Sequence, residues 1–267
     1  MHIPIAQPSL GRDGEHAPIV SSGCAIGGVS VSTPLTDFWP GTLPAPSVRT
    51  VDEMRCVLAD PTCTADGPLY VMYRDCALTP EDRTWFAGQH LRFDLTVIPP
   101  ATPGGEYVKT KGHDHPENAA GVGYPELYQV LAGEAHFLLQ TKDLSDVVVV
   151  SARAGDFVLV PPGYGHVTIN PGEEVLVMAN LVSTRFESEY GFYEEMRGAA
   201  YYEMEGKGWV RNARYGTLPA LRSVSARDAP LQDVQHEQPI YGLVTERRDL
   251  TFLNAPEIHI YGDCTSK

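Results

Sequence analysis

The sequence has few basic residues and no long apolar segment. Acidic residues number 34 against 20 lysines and arginines, which gives a formal net charge of −14. This balance argues against nucleic acid and against anionic membrane surfaces as partners. No apolar run approaches the roughly 18 residues that a membrane-spanning helix requires. The composition is compatible with a small anionic ligand held by local positive charge, and Lys109 and Lys111 supply such charge near the middle of the chain.

Cysteine usage and the amino terminus both bear on the cellular compartment. The cysteines are odd in number, scattered, and without a Cys-x-x-Cys pair, which argues against a disulfide framework and against a thiolate metal site. They are Cys24, Cys56, Cys63, Cys76 and Cys264. The first residues show no basic leader followed by an apolar segment. We therefore expect reduced thiols in a cytoplasmic protein.

The chain is predicted to form three regions. Residues 1–35 are rich in Gly, Ser and Pro, and are predicted to form a loosely ordered N-terminal arm. Residues 36–210 are predicted to form a barrel domain, and residues 211–267 a C-terminal extension packed on it. Two helices are predicted outside the barrel strands, one from a capping-box pattern at Thr50 and Glu53 and one within residues 240–254.

Short β-branched and aromatic runs, separated by Gly, Pro and Asp, recur between residues 69 and 182. No long helical pattern lies between them. This organisation predicts an all-β fold, an antiparallel barrel or jelly roll of two packed sheets with short flanking helices. The predicted strands are 69–73, 91–98, 106–110, 126–131, 135–140, 147–151, 156–160, 166–170 and 175–182.

Three histidines are candidates for metal ligands. His113 and His115 are two residues apart, so on a strand their imidazoles would share a face about 6 to 7 Å apart and could reach one ion. An isolated pair of this kind is more often two surface residues. A Pro-Pro-Gly turn at 161–163 ends one predicted strand and places His166 at the start of the next. A barrel would bring His166 to the paired histidines.

A glutamate completes the candidate set. Glu126 heads a predicted strand that ends at Gly133, whereas Glu117 lies in the preceding loop and is the rival carboxylate. Three imidazoles with one carboxylate suit iron, nickel, manganese or zinc better than calcium or magnesium.

These motifs resemble those of a known superfamily. His-x-His, the glutamate with its following glycine, and the Gly155–Pro161–Gly163–His166–Asn170 pattern resemble the two cupin motifs. The segments "VKTKGHDH", "ELYQVLAGEAHFLLQ" and "VPPGYGHVTIN" are similar, more particularly, to the cupin-type glucose-6-phosphate isomerases of archaea and some bacteria. The resemblance covers about residues 90–195 and implies a cupin jelly-roll β-barrel.

The resemblance also implies an activity and a set of site residues. The implied enzyme is a metal-dependent aldose-ketose isomerase that interconverts glucose 6-phosphate and fructose 6-phosphate and forms a homodimer. It would hold one divalent transition metal per chain, Fe²⁺ first, with Ni²⁺, Mn²⁺ or Zn²⁺ as alternatives. The implied metal ligands are His113, His115, Glu126 and His166, and the implied catalytic residues are Glu126 and Tyr128. The implied contacts to the phosphorylated sugar are Thr96, Thr110, Lys111, Gly112, Tyr128, Tyr164 and Tyr190.

Two positions depart from the family pattern. Gly163 stands where the family has a pocket tyrosine, for which Tyr164 could substitute, and Val182 aligns near a second tyrosine position. Strand alternation would place Lys109 and Lys111 on the face away from Thr110, as solvated residues, and contact with the phosphate is the equally weighted alternative for Lys111. Two further functions remain open at this point: a cupin oxygenase with a three-histidine, one-glutamate iron site, and a non-catalytic cupin that binds a phosphosugar.

Overall fold

The structure is a computed structural model that describes residues 25–26, 29–30, 35–228, 236 and 238–258. Its regular elements are mainly strands in antiparallel sheets, so the predicted all-β jelly roll is confirmed. The N-terminal arm predicted over residues 1–35 lies outside the described residues, apart from Leu35 and a two-residue ladder. That ladder joins β1 (Ala25–Ile26) to β2 (Val29–Ser30).

A six-stranded antiparallel sheet forms one wall of the barrel. It contains β3 (Ser47–Thr50), β4 (Pro68–Tyr73), β5 (Leu91–Ile98), β6 (Glu126–Ala132), β9 (Phe157–Val160) and β11 (Leu176–Ser183). The strand order is β3-β4-β5-β11-β6-β9. The five strands of this sheet that the sequence predicted lie within one residue of their predicted bounds. Only β3 had not been predicted.

A four-stranded sheet forms the opposite wall. It contains β7 (Glu134–Thr141), β8 (Val147–Arg153), β10 (Tyr164–Ile169) and β14 (Arg222–Ser225), in the order β10-β7-β8-β14. The last strand pairs parallel to β8, whereas the other pairs are antiparallel. Phe137 and Leu139 of this sheet belong to the same buried cluster as Val130 and Met178 of the other, so the two inner faces share a core.

The outer face of the six-stranded sheet is also covered. Phe93 and Leu181 pack there in a second buried cluster with Trp39, Phe86 and Tyr241. The rings of Trp39 and Tyr241 meet edge to face, with their centroids 5.0 Å apart. The sheet is therefore buried on both faces, and the C-terminal region contributes to its cover.

The helices are short. They are α1 (Val51–Met54), α2 (Pro80–Gln89), α3 (Gly191–Glu195) and α4 (Tyr241–Thr245), and none of the described helices is long and apolar enough to cross a membrane. The predicted capping box at Thr50 and Glu53 is present, and α1 continues as the 3-10 helix Arg55–Val57. The helix predicted within 240–254 is divided between α4 and the 3-10 helix Thr251–Leu253. A small hairpin joins β12 (Tyr201–Met204) to β13 (Gly208–Arg211).

The strand predicted over 106–110 was wrong. This segment makes only isolated bridges, from Glu106 to Met204 and from Lys109 to Ile169. Gly112, just beyond it, has a φ of 79°, which a regular strand cannot continue through. The segment runs beside β10 with irregular pairing, since the N–H of Thr110 donates to the carbonyl of Thr168 and the N–H of Asn170 donates to that of Val108. Strict strand alternation therefore does not decide where its side chains point.

The hairpin glycine between β6 and β7 offers a test of the fold. Gly133 has a φ of 76°, and a Cβ there would lie 2.8 Å from the carbonyl oxygen of Val175. Gly163 has a φ of 81° but an added Cβ would meet nothing within 4 Å. We expect Gly133→Ala to lower the free energy of unfolding by roughly 2 to 4 kcal/mol, and Gly163→Ala by about 1 kcal/mol. Urea denaturation measures the free energy of unfolding of both variants. Equal decreases would contradict a steric clash between the added Cβ at position 133 and the carbonyl oxygen of Val175.

Candidate metal centre and substrate cavity

The four predicted metal ligands come from three parts of the barrel. His166 lies on β10, and the backbone N–H of His113 donates to its carbonyl oxygen at 3.3 Å, with the reverse hydrogen bond at 3.0 Å. His115 follows two residues after His113 in the same segment. Glu126 is the first residue of β6 in the facing sheet. The segment is not a regular strand, and this isolated bridge places His113 directly beside His166, whereas the sequence predicted that the two would come from different sheets.

The side chains of these residues converge. One ligand atom from each of His113, His115, Glu126 and His166 can be chosen so that all lie within 4.8 Å of one another. Glu126 Oε2 is 3.3 Å from His115 Nε2 and 3.5 Å from His166 Nε2. Nitrogen and carboxylate oxygen atoms grouped so closely are a donor set for one divalent transition metal.

The environment of His115 fits a bound metal ion. Its Nδ1 lies 2.7 Å from the carbonyl oxygen of Tyr124, which can only accept, so Nδ1 carries the proton and Nε2 presents a lone pair. Nε2 is buried and has no hydrogen-bond partner among the described residues. A buried lone pair beside a carboxylate is costly unless a cation satisfies it. The residues present therefore fit a metal ion.

Asn180 holds the carboxylate of Glu126. This asparagine lies on β11, and its Nδ2 donates to Glu126 Oε1 at 2.6 Å. The hydrogen bond occupies Oε1 and leaves Oε2 directed toward the histidines. Asn180 was missed from the sequence, although it is a polar residue with apolar neighbours on both sides within a buried strand.

Burial and mutual charge set the protonation of the site. Burial lowers the pKa of His113 well below its usual value, and His166 and His115 lower it further. Burial likewise lowers the pKa of His166 to about 4. Burial alone would raise the pKa of Glu126, but contact with His115 and the charge of His166 outweigh it, so the pKa is lowered. At neutral pH His113 and His166 are therefore neutral and Glu126 is ionised, which is the state that metal binding requires of these residues.

A cavity opens beside the metal ligands and reaches along the inner face of the six-stranded sheet. Two of the candidate metal ligands, His113 and Glu126, form part of its wall. Five of the predicted substrate contacts line the same cavity, and they are Thr96, Thr110, Lys111, Tyr128 and Tyr190. Tyr128 is fully buried, and burial together with the charge of Glu126 raises its pKa well above the usual value. Its phenol therefore keeps its proton at neutral pH.

Two predicted substrate contacts do not line this cavity. The hydroxyl of Tyr164 donates to Asp146 Oδ2 at 2.8 Å, in contact with the ion pair that Asp146 forms with Arg222. The structure therefore does not bring Tyr164 to the place of the missing pocket tyrosine. Gly112 lies behind the wall, where an added Cβ would be 2.6 Å from Tyr193 Cδ1. Its lack of a side chain lets the backbone pack against that ring.

The solvated positions that strand alternation predicted for Lys109 and Lys111 are not found. Lys111 lines the cavity together with Thr110, and its Nζ is 2.5 Å from Glu194 Oε1. Lys109 is buried and forms an ion pair with buried Glu106. Both outcomes follow from the irregular backbone of residues 106–112, because alternation between two faces holds only within a regular strand.

Three arginines of the cavity wall were missed from the sequence. They are Arg49 on β3, Arg74 just after β4, and Arg92 on β5. A signal for one of them was present, because "LRFDLTVI" places Arg92, Asp94 and Thr96 on one face of a strand whose other face is apolar. Such a polar face inside a predicted barrel indicates a binding surface.

A jelly-roll barrel with three histidines and one glutamate on its inner surface defines a cupin with a candidate metal site. A family model described as Glucose-6-phosphate isomerase (GPI) matches residues 48–219, and the chain belongs to this family.

Individual relatives agree with this assignment. The chain is 33% identical to a glucose-6-phosphate isomerase of Pyrococcus furiosus over 121 residues, which are 45% of this chain and 61% of that protein. It is 30% identical to a glucose-6-phosphate isomerase of Thermococcus gammatolerans over 165 residues, which are 60% of this chain and 82% of that protein. The match spans about three fifths of the length of the Pyrococcus furiosus and Thermococcus litoralis relatives. A solved oxalate decarboxylase of Bacillus subtilis aligns with 43% of this chain and 26% of its own, at 20% identity and a TM-score of 0.33, a likeness too small to bear on function.

Proposed function

We propose that the protein is a metal-dependent isomerase that interconverts glucose 6-phosphate and fructose 6-phosphate. The observation that carries this proposal is one cavity lined both by metal-ligand residues and by Thr96, Thr110 and Lys111. The reaction needs both parts, because the chemistry occurs at C1 and C2 while the phosphate holds the far end of the sugar. Relatives from Pyrococcus furiosus and Thermococcus gammatolerans carry the name of this activity.

The metal would be held by the three histidines and Glu126. Imidazole nitrogens with one carboxylate suit Fe²⁺, Ni²⁺, Mn²⁺ or Zn²⁺, and the family resemblance places Fe²⁺ first. When bound, the ion would supply Lewis acidity at the sugar oxygens on which negative charge develops.

Polar groups at the other end of the cavity would bind the phosphate. The side chains of Thr96, Thr110 and Lys111, which line the cavity, would supply two hydroxyls and an ammonium group to the phosphate. Arg49 borders the same region, and its Nε is buried without a partner among the described residues. Charge-assisted hydrogen bonds from these groups would fix the substrate so that C1 and C2 lie beside Glu126.

Glu126 would transfer the proton between C2 and C1, and Tyr128 would donate a hydrogen bond to the sugar. The ionised carboxylate of Glu126 can accept the proton from C2 and return it at C1, because a carboxylate within reach of both carbons can act as base and then as acid. Asn180 holds this carboxylate in one orientation. Tyr128 retains its phenolic proton and can donate a hydrogen bond to a sugar oxygen. Direct hydride transfer between the carbons is the rival route.

Proton NMR of the Fe²⁺-loaded protein with glucose 6-phosphate in deuterated water tests the proposal. We expect fructose 6-phosphate with deuterium at C1, and loss of turnover when a chelator removes the metal. Product without deuterium would support the isomerase and favour hydride transfer or a proton shielded from solvent. Absence of product with each of the four metals would contradict the proposed activity, and undiminished turnover in metal-free protein would contradict its metal dependence.

We also propose that the protein is a cytoplasmic homodimer. The support is the family resemblance, since cupin barrels commonly pair through a sheet edge or face. Light scattering would then give twice the 29.2 kDa mass of one chain, and a mass of one chain would contradict the dimer.

A further inference from the structure

Two arginines share one buried carboxylate in the wall of the cavity. Asp94 Oδ2 is 2.8 Å from Arg92 Nε and 3.1 Å from Arg74 Nη1. The other oxygen of this carboxylate, Oδ1, accepts from the backbone N–H of Asp75 at 2.9 Å. Two guanidinium groups on a single carboxylate leave positive charge in excess, in a cavity where low dielectric strengthens its effect on an anion.

The strand register places Arg92 at the metal end of the cavity. Arg92 on β5 is paired with Val182 on β11, and Val182 is paired with Glu126 on β6. Arg92 and Glu126 therefore flank Val182 in one row across the sheet, with Cα atoms about 10 Å apart from the strand spacing. Thr96 lies four residues from Arg92 along β5, in the direction of the phosphate end.

Arg92 has hydrogen-bond donors that no described residue uses. Among the described residues it donates only through Nε, to Asp94, so its two terminal NH₂ groups have no protein partner there. Arg74, in contrast, directs one terminal group at Asp94 and the other at Met72 Sδ, 3.1 Å away. The bond through Nε fixes the plane of the Arg92 guanidinium, which suits it to bind two oxygen atoms at once.

We propose that Arg92 binds the C1–C2 end of the phosphosugar and stabilises the negative charge that forms there. The inference rests on the proposed isomerase function. When the C2–H bond breaks, the proton passes to Glu126 and the electron pair moves onto the C1 carbonyl oxygen. Arg92 donates hydrogen bonds to the charged oxygens and keeps its own protons. Glu126 then returns the proton to C1 as the hydroxyl proton moves from O2 to O1. Asp94 is the positioning residue, since it holds the guanidinium of Arg92 in place.

This role predicts a preference that binding can measure without turnover. Arabinonate 5-phosphate and arabitol 5-phosphate share a phosphate, but the first carries a carboxylate where the second carries a neutral CH₂OH group. Calorimetry of the full-length Mn²⁺-loaded protein should show tighter binding of the arabinonate. Arg92→Gln should weaken arabinonate binding by about ten- to a hundredfold and leave arabitol phosphate binding unchanged, as expected for loss of charge-assisted hydrogen bonds.

Arg49→Gln is the matched control, because Arg49 borders the phosphate end and should weaken both ligands by the same factor. Unchanged arabitol phosphate binding also shows that the Arg92→Gln protein is folded. The inference is overturned if Arg92→Gln keeps the full preference, if it weakens both ligands equally, or if the wild type shows no preference. Failure of the wild type to bind either ligand would be a different result, since it would contradict the phosphosugar function itself.

Discussion

His115→Asn is expected to remove the metal and to lower isomerase activity by about a thousandfold or more. The His115 side chain is buried, its Nδ1 is held by the carbonyl of Tyr124, and its Nε2 lies 3.3 Å from Glu126 Oε2. The shorter amide of asparagine cannot place a nitrogen lone pair at that point. A metal that polarises the reacting oxygens lowers the activation barrier by several kcal/mol. Loss of this stabilisation corresponds to a rate decrease of about a thousandfold.

Mass spectrometry measures the loss of metal, and turnover of glucose 6-phosphate measures the loss of activity. His90→Asn is the matched control, because His90 follows α2 with a φ of 54°, a conformation that asparagine accepts. It should keep one metal per chain and full activity. A His115→Asn protein that retains its metal and its activity would show that the four residues are not the functional centre.

Much of the barrel could be predicted because its signals are local. In β5 apolar and polar residues alternate, β6 is a short run rich in apolar residues, and proline or glycine follows each strand, so a short window of sequence contains the whole pattern. The segment 106–110 has a similar composition but makes only isolated bridges, to Met204 and Ile169, and a short window of sequence does not contain these distant partners. The helix α2 was missed although Thr79 caps it and Pro80 begins it, because only two of its ten residues, Asp82 and Phe86, are buried.

The cluster of candidate metal ligands could be predicted for a similar reason. His113 and His115 share one short segment, and a fixed turn precedes His166, so spacing alone suggested a site. The arginine and asparagine positions could not be found in this way. Arg92, Asn180 and Glu126 lie on three strands whose order in the sheet is β5-β11-β6, which differs from their order along the chain because β11 inserts between β5 and β6. Their proximity depends on that pairing, which no local pattern encodes.

Lys109→Met is expected to lower the free energy of unfolding by about 3 to 5 kcal/mol, the cost typical of breaking a buried ion pair. The side chains of Lys109 and Glu106 are 3% and 1% exposed and form a direct ion pair. Glu106 Oε2 also accepts from the backbone N–H of Ala59 at 2.8 Å, so the carboxylate cannot turn toward solvent. Methionine fills a similar volume but leaves the charge of Glu106 buried and unpaired.

Urea denaturation measures the loss, and Lys142→Met provides the comparison. Lys142 pairs with Glu189 at 3.0 Å, but both side chains are more than half exposed, so this change should cost at most about 1 kcal/mol. Adding Glu106→Gln to Lys109→Met should recover part of the stability, because the amide oxygen can still accept from Ala59 and no charge remains buried. Equal losses for the two lysines would contradict the buried pair, and no recovery in the double variant would mean that lost packing, rather than unpaired charge, causes the destabilisation.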